Sequence, residues 1–311
     1  MAAFQIMNHT MKTCQKLFAL GILFVAWPAL GQGMPPVVQA AKDADWAQLS
    51  SLLSTQSNLQ DVYGDGTSAL HWASYHDNVQ AAVELIDKGG DVNSVTDLGV
   101  TPLWLAADNG SAAMVDALLE SGANPNLNLL SGETLVMTAA HSGNVALVRS
   151  LLAAGASPQG EVTRNQTALM WAAGQGHGDV VGALLDYGAD VDARTLVRSQ
   201  YVKSEKEQDS HPLNKVWVEQ GGNTALIFAA RAGSLESARL LVAAGSDVNG
   251  LSAFGTSPTI MAIHGGNIKL LGFLLESGAD VESSASGHTA LHAAILRGSP
   301  EAVELLLDHG A

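Results

Sequence analysis

One six-residue phrase returns along this chain at a fixed interval. Gly66-Thr67-Ser68-Ala69-Leu70-His71 is followed by Gly99-Val100-Thr101-Pro102-Leu103-Trp104, then by Gly132-Glu133-Thr134-Leu135-Val136-Met137 and Asn165-Gln166-Thr167-Ala168-Leu169-Met170. After a longer gap it reappears as Gly222-Asn223-Thr224-Ala225-Leu226-Ile227, Gly255-Thr256-Ser257-Pro258-Thr259-Ile260 and Gly287-His288-Thr289-Ala290-Leu291-His292. The hydroxyl residues stand at 68, 101, 134, 167, 224, 257 and 289, so the steps are 33, 33, 33, 57, 33 and 32 residues. Such a period marks one supersecondary unit, repeated, each copy burying its apolar face mainly against its neighbours.

The second unit shows what each copy should fold into. Thr101 offers an N-cap hydroxyl and Pro102 stands at the first helical position, where a missing N–H is no loss. The pattern therefore predicts a short helix through Leu103, Leu105, Ala106 and Ala107 that ends at Gly110. Met114, Val115, Leu118 and Leu119 then form an apolar stripe on a second helix, and Gly122 supplies the left-handed residue after it. Ala123-Asn124-Pro125-Asn126 leads onward as an extended turn. Alanines at 73, 106, 107, 139, 140, 172, 173, 229 and 230 allow close approach of adjacent inner helices. The expected fold class is all-α, a solenoid of stacked helix-turn-helix units joined by hairpin loops.

These phrases resemble the ankyrin signature T-P-L-H-x-A-A, followed by G-H and then L-L-x-x-G-A-D-V-N. The best matches to its second half are Leu184-Leu185-Asp186-Tyr187-Gly188-Ala189-Asp190-Val191-Asp192 and Leu274-Leu275-Glu276-Ser277-Gly278-Ala279-Asp280-Val281-Glu282. Ala40-Ala41-Lys42-Asp43 and Leu52-Leu53 continue the register upstream, which makes 37–65 a degenerate capping unit. Seven units follow at 66–98, 99–131, 132–164, 165–221, 222–254, 255–286 and 287–311, the last expected to be truncated. The resemblance implies a non-catalytic, protein-binding scaffold whose inner helices and hairpin tips form a concave working face. A second reading stays open, in which the array is the recognition region of a larger exported enzyme or cytochrome.

The 57-residue step places an insertion of 24 residues in one hairpin, about 193–221. It carries Arg194, Arg198, Lys203, Lys206 and Lys215 beside Tyr201, His211 and Trp217, while 204–210 reads as a polar, solvated centre. Tyr, Trp and Arg are the residue types that concentrate binding energy at interfaces. Arg194, Arg198, Tyr201, Lys203, Lys215 and Trp217 are thus candidate partner-binding residues. The resemblance adds Tyr75, His76, Asp108 and His141, at the ends of inner helices.

The first thirty-one residues are of another kind: Lys12 and Lys16 without any acid, an apolar run from Leu17 to Trp27, then Pro28-Ala29-Leu30-Gly31. This is the form of a cleavable secretory signal, 1–31, followed by a short linker, 32–36. Its apolar run is about half the ~20 residues that span a bilayer. The protein is expected to be periplasmic or secreted, with no membrane association after cleavage. The single cysteine, Cys14, falls inside the signal, so the mature chain would hold neither a disulfide nor a thiolate site. That mature chain carries 13 basic and 30 acidic residues, a net charge of −17 that repels nucleic acid.

Sequence motifs for chemistry are missing: there is no H-E-x-x-H, CxxC, phosphate-binding Gly-Lys-Ser/Thr or Gly-x-Ser-x-Gly. Gly174-Gln175-Gly176-His177-Gly178 looks like half of a dinucleotide fingerprint but falls between two helices. The histidines His76, His141 and His264 are too many units apart to share a metal ion. His71, His177 and His292 read as framework residues, and Trp72, Trp104 and Trp171 as packing residues. No catalytic residue, cofactor or metal is expected, and the array is expected to be a monomer.

Overall fold

The computed structural model describes residues 33–55, 61–159, 161–162, 165–203 and 215–311. The signal read at 1–31 and the loop centre at 204–210, with His211, lie outside the described residues.

Among the described residues, eight helix pairs stack in chain order. They are α1 (Pro36–Lys42) with α2 (Trp46–Ser54), α3 (Ala69–Tyr75) with α4 (Val79–Asp87), α5 (Pro102–Asp108) with α6 (Ala112–Glu120) and α7 (Leu135–Ser142) with α8 (Val145–Ala153). Then come α9 (Ala168–Gln175) with α10 (Gly178–Asp186), α11 (Ala225–Ala232) with α12 (Leu235–Ala243), α13 (Pro258–Gly265) with α14 (Ile268–Glu276) and α15 (Ala290–Arg297) with α16 (Pro300–Asp308). Odd-numbered helices form an inner layer and even-numbered ones an outer layer, each packing on its own pair and on its counterparts before and after.

The recurring hydroxyl explains where seven of the inner helices begin; α1 instead starts behind Pro35, with Pro36 in its first turn and no side-chain cap. Ser68, Thr101, Thr134, Thr167, Thr224, Ser257 and Thr289 are all N-caps in extended conformation, each accepting the backbone N–H three residues on. This satisfies one of the orphan donors of the first turn. His71 and His292 complete capping boxes. In His71, Nδ1 accepts from the Ser68 N–H at 3.1 Å while Nε2 donates to Val100 O of the next unit at 3.0 Å. Burial lowers its pKa, which keeps the ring neutral in this arrangement.

Packing follows residue size. Ala73, Ala106, Ala139, Ala172, Ala229, Ala262 and Ala294 occupy one position of the inner helices, none more than 1% exposed. From the outer layer Met114, Val115 and Leu118 are buried as the stripe predicts, and Leu119 sits half-buried at its edge. The resulting core runs as one cluster from Val37 to Leu306.

The turns are tied by side-chain amides. Asn93 donates to Gly122 O and accepts from Asn124 N; Asn126 does the same with Gly155 O and Ser157 N, and Gln159 with Gly188 O and Asp190 N. Asn249 repeats the pattern with Gly278 O and Asp280 N. At the corresponding place before the insertion stands Asp192, a carboxylate with no N–H to give. Hairpins also pack backbone to backbone: a Cβ on Gly99, at φ +80, would come within 2.9 Å of Asn128 O.

The insertion is the main departure from an all-helical array. Instead of an irregular loop, its arms form an antiparallel ribbon, β3 (Arg198–Lys203) against β4 (Lys215–Gln220), with Arg198 opposite Gln220 and Tyr201 opposite Trp217. A smaller ribbon earlier in the chain pairs β1 (Glu161–Val162) with β2 (Gln166–Thr167).

Candidate functional site

Two sets of candidate residues occupy different parts of the array. The first lies on the inner layer, on the side turned away from the outer helices. Four residues after each hydroxyl stand Trp72, Leu105, Thr138 and Trp171; seven after it stand Tyr75, Asp108, His141 and Gly174. Positions three apart on a helix share a face, so the two rows run side by side along the first four units. Trp72 meets Tyr75 edge-on at 5.7 Å between ring centres and stacks on His76 at 6.1 Å, while His141 meets Trp171 at 5.0 Å. Lys42 Nζ sits 5.8 Å from the Trp72 ring centre, close enough for cation–π attraction.

Asp108 belongs with a residue that sequence reasoning missed. Glu133, just before the hydroxyl of the next unit, accepts from Thr138 Oγ1 at 3.2 Å. Its carboxyl is raised above the usual range by burial, and the charge of Asp108 raises it further against the hydrogen bond from Thr138. Asp108 keeps its tip in solvent, yet the surrounding atoms displace enough water to raise its carboxyl too. The ion pair seen among the described residues, Arg149 with Asp186, involves neither. His141 is pushed down by burial and by His177.

His76 has a framework role. Its ring stands in contact distance of Lys42 O at 3.0 Å, just as Asn109 donates to Ser74 O and Tyr75 O, and Asn267 to Ala230 O. In each case a side chain in the turn that follows one inner helix covers carbonyls in the last turn of the preceding inner helix, groups that a helix leaves without partners.

The second set is the ribbon. Tyr201 and Trp217 face each other across the strands with ring centres 5.2 Å apart, and Trp217 is 67% exposed. Leu196 and Val197 at its base are exposed as well, as is Arg198. Lys203 and Lys215 are paired through their backbones at the outer end of the described ribbon. Arg194 behaves differently: its guanidinium donates to Gly222 O at 3.1 Å and Leu251 O at 2.6 Å. It ties the turns across the junction where Asp192 interrupts the amide pattern. Thr195 reinforces the same junction by exchanging backbone bonds with Gly222 and Asn223.

Among the described residues no three histidines, cysteines or carboxylates are grouped to hold a metal ion, and no helix is long and apolar enough to cross a membrane.

The family model for ankyrin repeats matches in three copies, over residues 37–129, 115–195 and 226–311. The chain belongs to the ankyrin-repeat family. The crystal structure of the human ASB11 ankyrin repeat domain superposes with a TM-score of 0.56 and 28% sequence identity, covering 85% of this chain and 98% of that one. Human neurogenic locus notch homolog protein 1 is 36% identical over 74 residues, 24% of this chain but 3% of its own length. A Caenorhabditis elegans homolog of transient receptor potential cation channel subfamily A member 1 is 30% identical over 89 residues, or 29% of this chain and 7% of its own. The chain thus spans a small part of these relatives.

Ankyrin arrays are protein-interaction scaffolds, and the two surfaces above are where this one departs from an idealised repeat. The ankyrin model passes over 196–225, the stretch that holds the ribbon, so the ribbon is an addition to the family pattern.

Proposed function

We propose that this ankyrin array is an exported, non-catalytic scaffold that holds a protein partner on its inner face and on the β3–β4 ribbon. The observation that carries this reading is the ribbon itself: a self-paired element, added to a regular array, that displays Tyr201 and a largely exposed Trp217. Large aromatic side chains held rigidly give up little entropy when they are covered, which suits an interface anchor. The acidic net charge supports a protein partner over nucleic acid. In this reading the array acts as a monomer, and recognition rests on Arg198, Tyr201, Lys203, Lys215 and Trp217 together with Tyr75, Asp108 and His141.

Export rests on the form of residues 1–31. Expression of the full chain in a Gram-negative host followed by fractionation should yield extracytoplasmic protein whose N-terminus lies near Gln32; intact N-termini on soluble cytoplasmic protein would overturn it. Recognition is tested by capture from the source's exported proteins. Trp217→Ala should weaken capture of a partner by about 2 kcal/mol, the usual cost of losing a hot-spot aromatic. An unchanged set of captured proteins would remove the ribbon from the binding surface.

A further inference from the structure

We infer that the inner face of the first four repeat units takes an extended segment of a partner polypeptide bearing basic side chains, one of them seated between Asp108 and Glu133. The inference rests on the scaffold reading and names the chemistry of the partner at one of its two surfaces.

Spacing suggests the shape of the ligand. The rows Trp72, Leu105, Thr138, Trp171 and Tyr75, Asp108, His141, Gly174 advance by one repeat unit per residue, and packed helices lie about 8–10 Å apart. A polyproline II segment turns once every three residues and rises about 9 Å in doing so. It therefore offers one side chain, always on the same side, to each successive unit. A β-strand presents its side chains to alternate faces and loses that register after one unit.

Charge gives the chemistry. Residues 37–190 hold four basic and 17 acidic residues, so the field over this half attracts cations. Within the face itself, Glu133 takes one hydrogen bond from Thr138, and no ion pair to either carboxylate is formed among the described residues. Trp72, Tyr75 and Trp171 flank the two acids with aromatic surface, and the Trp72 ring already lies beside a cation of its own chain, Lys42. Carboxylates for the charge and rings for the stem are what a long basic side chain needs. A divalent cation is disfavoured by the donor set, since two carboxylates lack the six or more oxygens that calcium collects.

The test uses the full chain after leader removal and three labelled peptides, four repeats each of Leu-Pro-Arg, Leu-Pro-Gln and Leu-Pro-Glu, followed by fluorescence anisotropy. The arginine peptide should bind about tenfold or more tightly than the glutamine peptide, and the glutamate peptide should bind least. Asp108→Asn with Glu133→Gln should remove that preference while leaving the affinity for the glutamine peptide intact and the thermal transition no lower than that of the parent. A form with the ribbon shortened should keep the preference. Equal binding of the arginine and glutamine peptides, or no binding of the arginine peptide, would overturn the inference and leave capture through Trp217 to decide the scaffold reading separately. A preference that survives the double variant and disappears with the ribbon would place the cation site elsewhere and overturn it equally.

Discussion

Replacing residues 199–219 by Asn-Gly would join Arg198 to Gln220, which are already opposite one another, through the two-residue turn that suits a hairpin. Shortening a closed segment from 21 residues to 2 relieves at most about 2 kcal/mol of loop-closure entropy. The ribbon that is lost contributes little against this, because an isolated two-stranded hairpin is only marginally stable in water. The shortened protein should therefore be as stable as the parent or up to about 2 kcal/mol more stable. Arg194→Ala, five positions upstream of the replaced segment, should do the opposite. It removes the bonds to Gly222 O and Leu251 O, and for an exposed guanidinium two such bonds are worth about 1–2 kcal/mol together. Urea titration followed by far-UV circular dichroism would measure both. A shortened form that loses about 2 kcal/mol or more would show that the ribbon packs on the array; a silent Arg194→Ala would show that the junction is held by Thr195 and helix packing alone.

Leu118→Ala deletes three carbons from a fully buried site in the outer layer and should cost about 3–5 kcal/mol by the same titration. For His71 the folded pKa is depressed, so the unfolded chain takes up the proton first and the residue's contribution is lost as pH falls below the ordinary imidazole value of 6.5. The stability advantage of the parent over His71→Gln should accordingly shrink by up to about 1.4 kcal/mol per pH unit between pH 6 and 5 in paired urea titrations. Glu133 has the reverse sign: its folded pKa is raised, so the ionised form is the less stable one. Glu133→Gln should raise Tm at pH 7 by about 1–2 °C in calorimetry, with the gain fading as pH falls into the carboxylate range.

Much of the architecture is legible from local chemistry, because each unit repeats the same cap, small residues and left-handed glycine within 33 residues. Thr101 and Pro102 announce a helix start without reference to anything distant. What escapes is contact between units. Glu133 looks unremarkable in its own phrase and becomes important only because Asp108 of the preceding unit shares its face. Arg194 reads as a surface cation, yet its acceptors are backbone carbonyls 28 and 57 residues away. The ribbon had a local signal that the polar centre obscured: Tyr201-Val202 and Val216-Trp217-Val218 are β-favouring pairs and triplets on both sides of it. The carbonyl contact of His76 was likewise invisible, since its partner lies 34 residues upstream.

The hairpin tips give the array a second consequence, concerning how such a chain can be altered. Both irregular steps fall there: the 57-residue step opens into the ribbon after Asp192, and the 32-residue step loses its residue between Gly278 and Thr289. Helices and their caps keep register on either side of each change. A unit's length is thus elastic at one place and rigid everywhere else, so foreign segments are best grafted at tips such as Leu130 or Phe254, whose side chains are already exposed. The same insertion one helix away would shift the buried alanine column out of step with its neighbours. The tip is where this scaffold can acquire a new binding element without being redesigned.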